Sequence, residues 1–184
     1  MRRAAATLAG AGYAVLVPEL GRLRELVLEP AAVDDLVSDA VATVAPLAEA
    51  AGVTVGAGAL AGSVADVDVR GVTRAVTNLL RNAVQHTPRG GRVEVRTRVL
   101  GERVEVAVAD GCGGIPDDDL PKLFEPGWRG DASRAGRGMG LGLAIVAEVA
   151  RTHGGEARVE NRPDGTGCVA TLSLPTPPPP TPPG

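Results

Sequence analysis

Apolar residues recur along the chain with two periods, and the changes between them mark out the elements. Residues 19–28 carry leucines at 20, 23 and 26, a spacing that predicts the end of a helix stopped by Pro30. A second helix is predicted from about Asp34 to Ala51, with Leu36, Val37, Ala40, Val41, Val44, Leu47 and Ala48 on one face. Asp34 or Asp35 would cap its start and Gly52 its end, and Pro46 implies a kink or break. Residues 53–70 read as a strand or two with Gly-rich turns. Asp68 then caps a third helix predicted over 69–86, closed by Thr87-Pro88 and the turn Arg89-Gly90-Gly91.

Strict alternation follows. Val93, Val95 and Val99 point one way, as do Val104, Val106 and Val108, with Gly101-Glu102 between them, so a hairpin with one buried face is expected. Residues 111–138 form a long polar connection rich in Gly, Asp and Arg. A fourth helix is predicted from about Gly140 to Thr152, closed by His153-Gly154-Gly155. A last hairpin pairs 156–161 with 168–174 around Pro163-Asp164-Gly165, turning Cys168, Ala170, Leu172 and Leu174 inward. This order predicts an α+β two-layer sandwich with helices on one face of a mixed sheet. A connection of over twenty residues is unusual inside a compact domain, and such loops often act as lids.

Composition changes this picture little. The 184 residues suit one domain with short extensions, and 44% hydrophobic with 22% charged is an ordinary globular balance. A net charge of −3 offers no basic face and argues against nucleic acid as a partner. Tyr13, Phe124 and Trp128 are the whole aromatic set, so the core must be aliphatic. Phe124 and Trp128 stand in the polar connection, as anchors of a mobile segment would. Cys112 and Cys168 lack metal spacing and argue for a reducing compartment rather than a disulfide framework. The tail PTPPPPTPPG is expected to be extended and solvated.

Three stretches carry candidate chemistry. Asn78, Asn82, Gln85 and His86 lie along one edge of the third helix, opposite its buried side. They read either as a solvated face or as neutral oxygen ligands suited to a Mg²⁺ that keeps most of its waters. Asp110-Gly-Cys-Gly-Gly114-Ile115-Pro116 ends an apolar strand in an aspartate followed by glycines. It reads as a tight turn, or as an acceptor for a ligand amino group with backbone free to approach a flat ring. Gly136-Arg137-Gly138-Met139-Gly140-Leu141-Gly142-Leu143 runs into a helix, where N–H groups at a positive dipole end suit phosphate. Arg129 and Arg137 would add charge-assisted contacts. With no strand before this Gly-rich run, dinucleotide-fold and Walker readings fail.

Together these segments resemble the N, G1, F and G2 boxes of bacterial sensor histidine kinases, within the GHKL ATPase superfamily. Asn78-Leu-Leu-Arg-Asn82-Ala-Val-Gln-His86-Thr-Pro88 is similar to the N box and 110–116 to the G1 box. Leu123-Phe124-Glu125-Pro126 with Arg129-Gly130-Asp131 is similar to the F box, and Gly138–Leu143 to the G2 box. The resemblance implies a Bergerat-type sandwich that binds ATP with Mg²⁺. Asn82 would hold the Mg²⁺, and Asn78 would stand where ATP-hydrolysing relatives carry a glutamate base. An amide cannot take a proton from water, which favours phosphoryl transfer. Gln85 would donate to phosphate and His86 stack on the base. Asp110 would accept from the adenine amino group, with Gly114, Ile115 and Pro116 shaping the pocket. Phe124 would pin the lid, and Arg129 or Arg137 would reach the phosphates. Gly138, Met139, Gly140, Leu141, Gly142 and Leu143 would cradle them.

Two departures from the family pattern stand out: Cys112 replaces a glycine of the G1 box, and Cys168 stands where a threonine or serine is usual. Residues 1–29 would then end a dimerisation helix, 30–175 form the catalytic domain and 176–184 the Pro-rich tail. Met1-Arg2-Arg3 and the apolar run to Val17 superficially resemble a signal peptide too short to span a membrane, but ATP chemistry places the domain in the cytoplasm. The expected activity is donation of the γ-phosphoryl group to a histidine on a separate or missing dimerisation domain, in cis or in trans, with a response regulator downstream. His86 and His153, the two histidines present, sit inside catalytic-domain motifs. The alternatives are a serine kinase of the anti-sigma-factor type and a pseudo-kinase interaction module with impaired nucleotide binding.

Overall fold

The alternating valines of 92–109 close the central hairpin. In the computed structural model, which describes residues 14–19, 22–128 and 140–176, β6 (Arg92–Leu100) pairs antiparallel with β7 (Arg103–Ala109), setting Val95 against Val108 and Val99 against Val104. β9 (Cys168–Pro175) lies antiparallel beside β7, and β8 (Glu156–Asn161) forms that edge. At the other edge β4 (Thr54–Ala57) runs parallel to β6, so the sheet is mixed, in the order β4-β6-β7-β9-β8. Its inner face buries Val93, Val95, Val104, Val106, Val108, Ala170, Leu172 and Leu174 under three helices. Val99 shares their parity but is 48% exposed; Thr97 is the third buried residue of β6 instead. Val99 lies beyond the buried part of the strand, so alternation there fixes a face but not burial.

Helix α1 (Val33–Ala51) buries Leu36, Val37, Ala40, Val44 and Ala48, and ends at Gly52 in the left-handed conformation. It begins one residue earlier than the acidic pair suggests. Ala32 occupies the cap position with no side-chain bond, and Asp34 reaches sideways to accept from the Thr97 hydroxyl and the Gly62 N–H, both at 2.7 Å. Pro46 interrupts one main-chain bond without ending the helix. Helix α2 (Val69–His86) is capped by Asp68, whose carboxylate accepts from the Gly71 N–H. Helix α3 (Gly142–Thr152) starts two residues later than expected, because Gly140 has φ +67° and cannot be in a right-handed helix.

The leucine spacing of residues 19–28 does not make a helix. β1 (Ala14–Glu19) and β2 (Arg22–Val27) pair antiparallel over six residues each. Six residues after Gly21 are too short a stretch to nucleate a helix unaided, and pairing satisfies the same backbone groups. The described part of 1–29 is therefore a hairpin rather than the end of a dimerisation helix. β3 (Glu29–Ala32) pairs with β5 (Val64–Val67) beside the start of α1. No described helix is long and apolar enough to cross a membrane.

The outer face of the sheet is polar. Glu105, 5% exposed, accepts from Arg98 at 2.7 Å and Arg158 at 2.9 Å. Burial alone would raise its pKa, but the hydrogen bonds from Arg158 and Arg98 outweigh burial and hold the carboxyl below the usual range.

Candidate functional site

The candidate residues converge along one edge of α2. Valine, alanine and leucine at 72, 75, 76, 79, 80, 83 and 84 pin its other side to the core. This leaves Asn78 and Asn82 half-buried on the free edge and Gln85 and His86 exposed beyond them. From Asn78 to Thr87 the edge spans about 13 Å at 1.5 Å per residue.

At one end, the start of α3 meets the middle of α2. A methyl group on Gly142 would lie 3.9 Å from the Asn78 side chain, in ordinary contact. Leu141, the cap residue of α3, supplies no side-chain acceptor, so the first N–H groups of that helix have no side-chain cap. The Asn78 Nδ2 is buried with no hydrogen-bond partner among the described residues. Buried amides of this kind are normally satisfied. The pairing of an unsatisfied donor with an uncapped helix N-terminus suits an anionic ligand. Gly140, Leu141, Gly142 and Leu143 are partly buried here. The Gly140 carbonyl accepts from the Gly127 N–H at 3.1 Å, which joins the segment after Phe124 to the start of α3. Phe124 itself is half-buried, just after a 3-10 turn at Leu120–Lys122. Arg129, Arg137, Gly138 and Met139 lie outside the described residues.

At the other end is Asp110, 5% exposed. The β7–β9 ladder continues through it, its N–H donating to the Cys168 carbonyl at 3.0 Å. Its Oδ1 accepts from the Cys112 N–H at 3.0 Å and the Cys168 N–H at 3.3 Å, fixing the carboxylate at the strand end. The turn then needs φ +82° and +90°, met by Gly113 and Gly114.

Three residues that position this turn escaped the sequence reading. The buried Thr87 accepts at Oγ1 from the Gly111 N–H at 3.4 Å, tying the end of α2 to the turn. Asn161 clamps Ile115 with two bonds, accepting its N–H at 2.8 Å and donating to its carbonyl at 2.7 Å. Gly167 allows β9 to approach Asp110, since a methyl group there would run into the Asp110 carbonyl. Only partners far away in sequence give these residues meaning; a Gly beside Cys168 carried a signal, but not a target. An open cleft of about 380 Å³ lies outside the turn, lined by Gly113, Gly114, Ile115, Pro116, Asn161 and Gly165. Its lining comes from the turn after β7 and from the β8–β9 hairpin, with no residue of α2.

His153 is structural. Its Nδ1 lies 2.7 Å from the Val149 carbonyl, and its Nε2 accepts from the Asp68 N–H at 3.0 Å. With Nε2 accepting from Asp68 and Nδ1 turned to the Val149 carbonyl, the ring joins the end of α3 to the start of α2.

Residues 67–178 match the family model described as histidine kinase-, DNA gyrase B-, and HSP90-like ATPase. The sensor-like histidine kinase SenX3 of Mycobacterium tuberculosis is 47% identical over 103 residues, which are 55% of this chain and 25% of SenX3. SenX3 of Mycolicibacterium smegmatis is 38% identical over 155 residues, 83% of this chain and 40% of that protein. The chain thus spans a quarter to two-fifths of the length of these relatives. Among solved structures, the mycobacterial sensor histidine kinase MprB superposes with a TM-score of 0.72 at 30% identity, covering 81% of this chain and 97% of that one. The ATP-binding domain of PrrB from Mycobacterium tuberculosis superposes with a TM-score of 0.66 at 28% identity, covering 82% and 98%.

Proposed function

As the chain belongs to the histidine kinase-, DNA gyrase B-, and HSP90-like ATPase family, we propose that it binds Mg-ATP along the α2 edge and donates the γ-phosphoryl group to a histidine of a dimerisation domain, in cis or in trans. The acceptor would pass phosphate to a response regulator, as part of two-component signalling, and the domain would work in the cytoplasm. One observation carries the reading. Among the described residues, an Asn78 amide without a partner meets the start of α3, which has no side-chain cap, at one end of a 13 Å edge, and a carboxylate held by main-chain donors marks the other end.

The residues fit the nucleotide in a definite orientation. Asp110, an acceptor fixed by the ladder, would take the adenine amino group, with Gly114, Ile115 and Pro116 beside the base and His86 stacking on it. Asn82, whose side chain has no hydrogen bond among the described residues, would hold Mg²⁺ through its carbonyl oxygen. When bound, the ion would neutralise phosphate charge. Asn78, Gln85 and the first N–H groups of α3 would orient the phosphates, with Arg129 and Arg137 adding charge, and Phe124 would anchor the lid. Because Asn78 is an amide, the position where hydrolysing relatives carry a glutamate offers no base for activating water, which favours transfer over hydrolysis. Both His153 nitrogens are engaged inside the fold, and His86 would stack on the base, so the acceptor histidine would come from another segment.

Titration of the purified chain with a fluorescent ATP analogue and Mg²⁺ tests the binding step. Saturation at micromolar to millimolar nucleotide is expected, and its absence would overturn the reading. Adding a dimerisation-helix protein and detecting acid-labile phosphate on its histidine tests the transfer.

A further inference from the structure

Cys112 and Cys168 stand 56 positions apart in sequence, yet their sulfurs lie 2.6 Å from each other. Two features of the backbone bring them together. The β7–β9 ladder sets Cys168 opposite Asp110, and the Asp110 carboxylate folds the next turn back by accepting the Cys112 N–H. Both are free thiols, Cys168 buried and Cys112 half-buried. Cys168 Sγ also lies 3.3 and 3.5 Å from the two oxygens of Asp110. The pair therefore touches the carboxylate assigned above to the adenine amino group.

We propose that Cys112 and Cys168 are a modification site inside the nucleotide pocket, which a peroxide converts to a disulfide that closes the pocket at Asp110. This inference rests on the nucleotide reading for its consequence, though not for its chemistry. The more accessible Cys112 sulfur attacks peroxide: an S–O bond forms, the O–O bond breaks, and the departing oxygen leaves as water with the thiol proton. The Cys168 sulfur then attacks the Cys112 sulfur. The S–S bond forms, the S–O bond breaks, and the hydroxyl leaves as a second water carrying the Cys168 proton, which Asp110 Oδ1 is placed to take up first. Peroxide gains two electrons, one from each sulfur.

The sulfurs need little further approach, since a disulfide bond is about 2.05 Å long. Burial pushes both thiols up, reinforced at Cys168 by its contacts with Cys112 and Asp110. The pair therefore rests as a dithiol in a reducing compartment and reacts slowly, as an accumulating oxidant would require. In the reduced state Cys112 can rotate away from Asp110 toward solvent. In the oxidised state its sulfur is pinned beside the carboxylate, where the base edge would lie, and the turn can no longer open.

The test uses the full chain, treated with hydrogen peroxide, alkylated and digested without reductant, beside a reduced sample. Expected are a linked pair of peptides containing Cys112 and Cys168, loss of two hydrogens reversed by dithiothreitol, and a rise in Tm of roughly 10 °C. Affinity for a fluorescent ATP analogue with Mg²⁺ should fall at least about tenfold on oxidation, and Cys112→Gly should abolish that sensitivity. Failure to link under peroxide while the urea-unfolded chain oxidises would overturn the site. A disulfide that leaves affinity within about threefold would overturn the closure. If the reduced chain binds no nucleotide but the disulfide forms, the nucleotide reading falls and the modification site stands.

Discussion

Replacing Gly167 by alanine should damage stability and nucleotide binding together. The added methyl group would overlap the Asp110 carbonyl oxygen, come within 2.8 Å of the Asp110 carbonyl carbon and 3.1 Å of Gly111 Cα, all main-chain atoms of a paired strand end. Relief requires β9 to part from β7 where Asp110 donates to Cys168 and Cys168 to the Asp110 carboxylate. Two hydrogen bonds at about 1 kcal/mol each, with about 1 kcal/mol of residual overlap, give roughly 3 kcal/mol. For a chain of this size that lowers Tm by roughly 6–12 °C. Gly62→Ala is the matched control: φ is +66° with no atom within 4 Å of the new methyl, so only backbone strain of about 1 kcal/mol applies. Thermal unfolding followed by circular dichroism reads both. The nucleotide Kd should rise at least about tenfold for Gly167→Ala, because the Asp110 carboxylate moves with its strand, and remain unchanged for Gly62→Ala. Equal melting shifts in the two variants would refute the reasoning.

Other changes separate binding from folding. Asn82→Ala, on the half-buried free edge of α2, should weaken Mg-nucleotide binding by at least about tenfold with Tm within roughly 2 °C; a collapse in Tm instead would make that edge structural. Asn78→Leu removes a buried donor that has no partner among the described residues, so Tm should hold or rise while nucleotide affinity falls; a drop of several degrees would mean that the amide is satisfied in the folded protein. His153→Ala removes a two-sided link between α2 and α3 and should cost about 2–3 kcal/mol by denaturant unfolding. Glu105 is held below its ordinary pKa of 4.5, so its contribution is fully present above that value and lost as pH falls through the depressed folded-state value. Stability of the wild type should therefore decline below about pH 4.5 more steeply than that of Glu105→Gln, in urea titrations at fixed ionic strength.

Where a local period and a packing partner agree, the fold was legible in the sequence. Helix α2 could be read to the residue, because Asp68 caps it, Thr87-Pro88 closes it, and its apolar stripe is complete. The same holds for Val104, Val106 and Val108, which alternate along a central strand covered by helices. Val99 misled because alternation does not report where the buried part of the strand ends. The leucines of 19–28 misled because three apolar residues at helical spacing are compatible with pairing when Gly21 interrupts the stretch and another strand is at hand. Within the candidate site, Asn78, Asn82 and Asp110 stood out in the sequence because each departs from its surroundings: amides on an otherwise amphipathic helix, a carboxylate at the end of a valine strand. Thr87, Asn161 and Gly167 were not, since each acts on one backbone segment that only the folded chain brings near. The meeting of Cys112 and Cys168 was hidden for the same reason.

The His153 link sets how the two site helices can move. It fastens α2 and α3 at the ends remote from the Asn78–Gly142 contact, so the pair is pinned at the base like the arms of a tweezer. Helix α3 is about 16 Å long at 1.5 Å per residue. A tilt of about 5° about the imidazole therefore carries Gly142 roughly 1.4 Å relative to Asn78. That displacement is enough to make or lose a hydrogen bond at the open end while hardly disturbing the packing at the pin. A ring far from any ligand would thereby set the fulcrum of the grip.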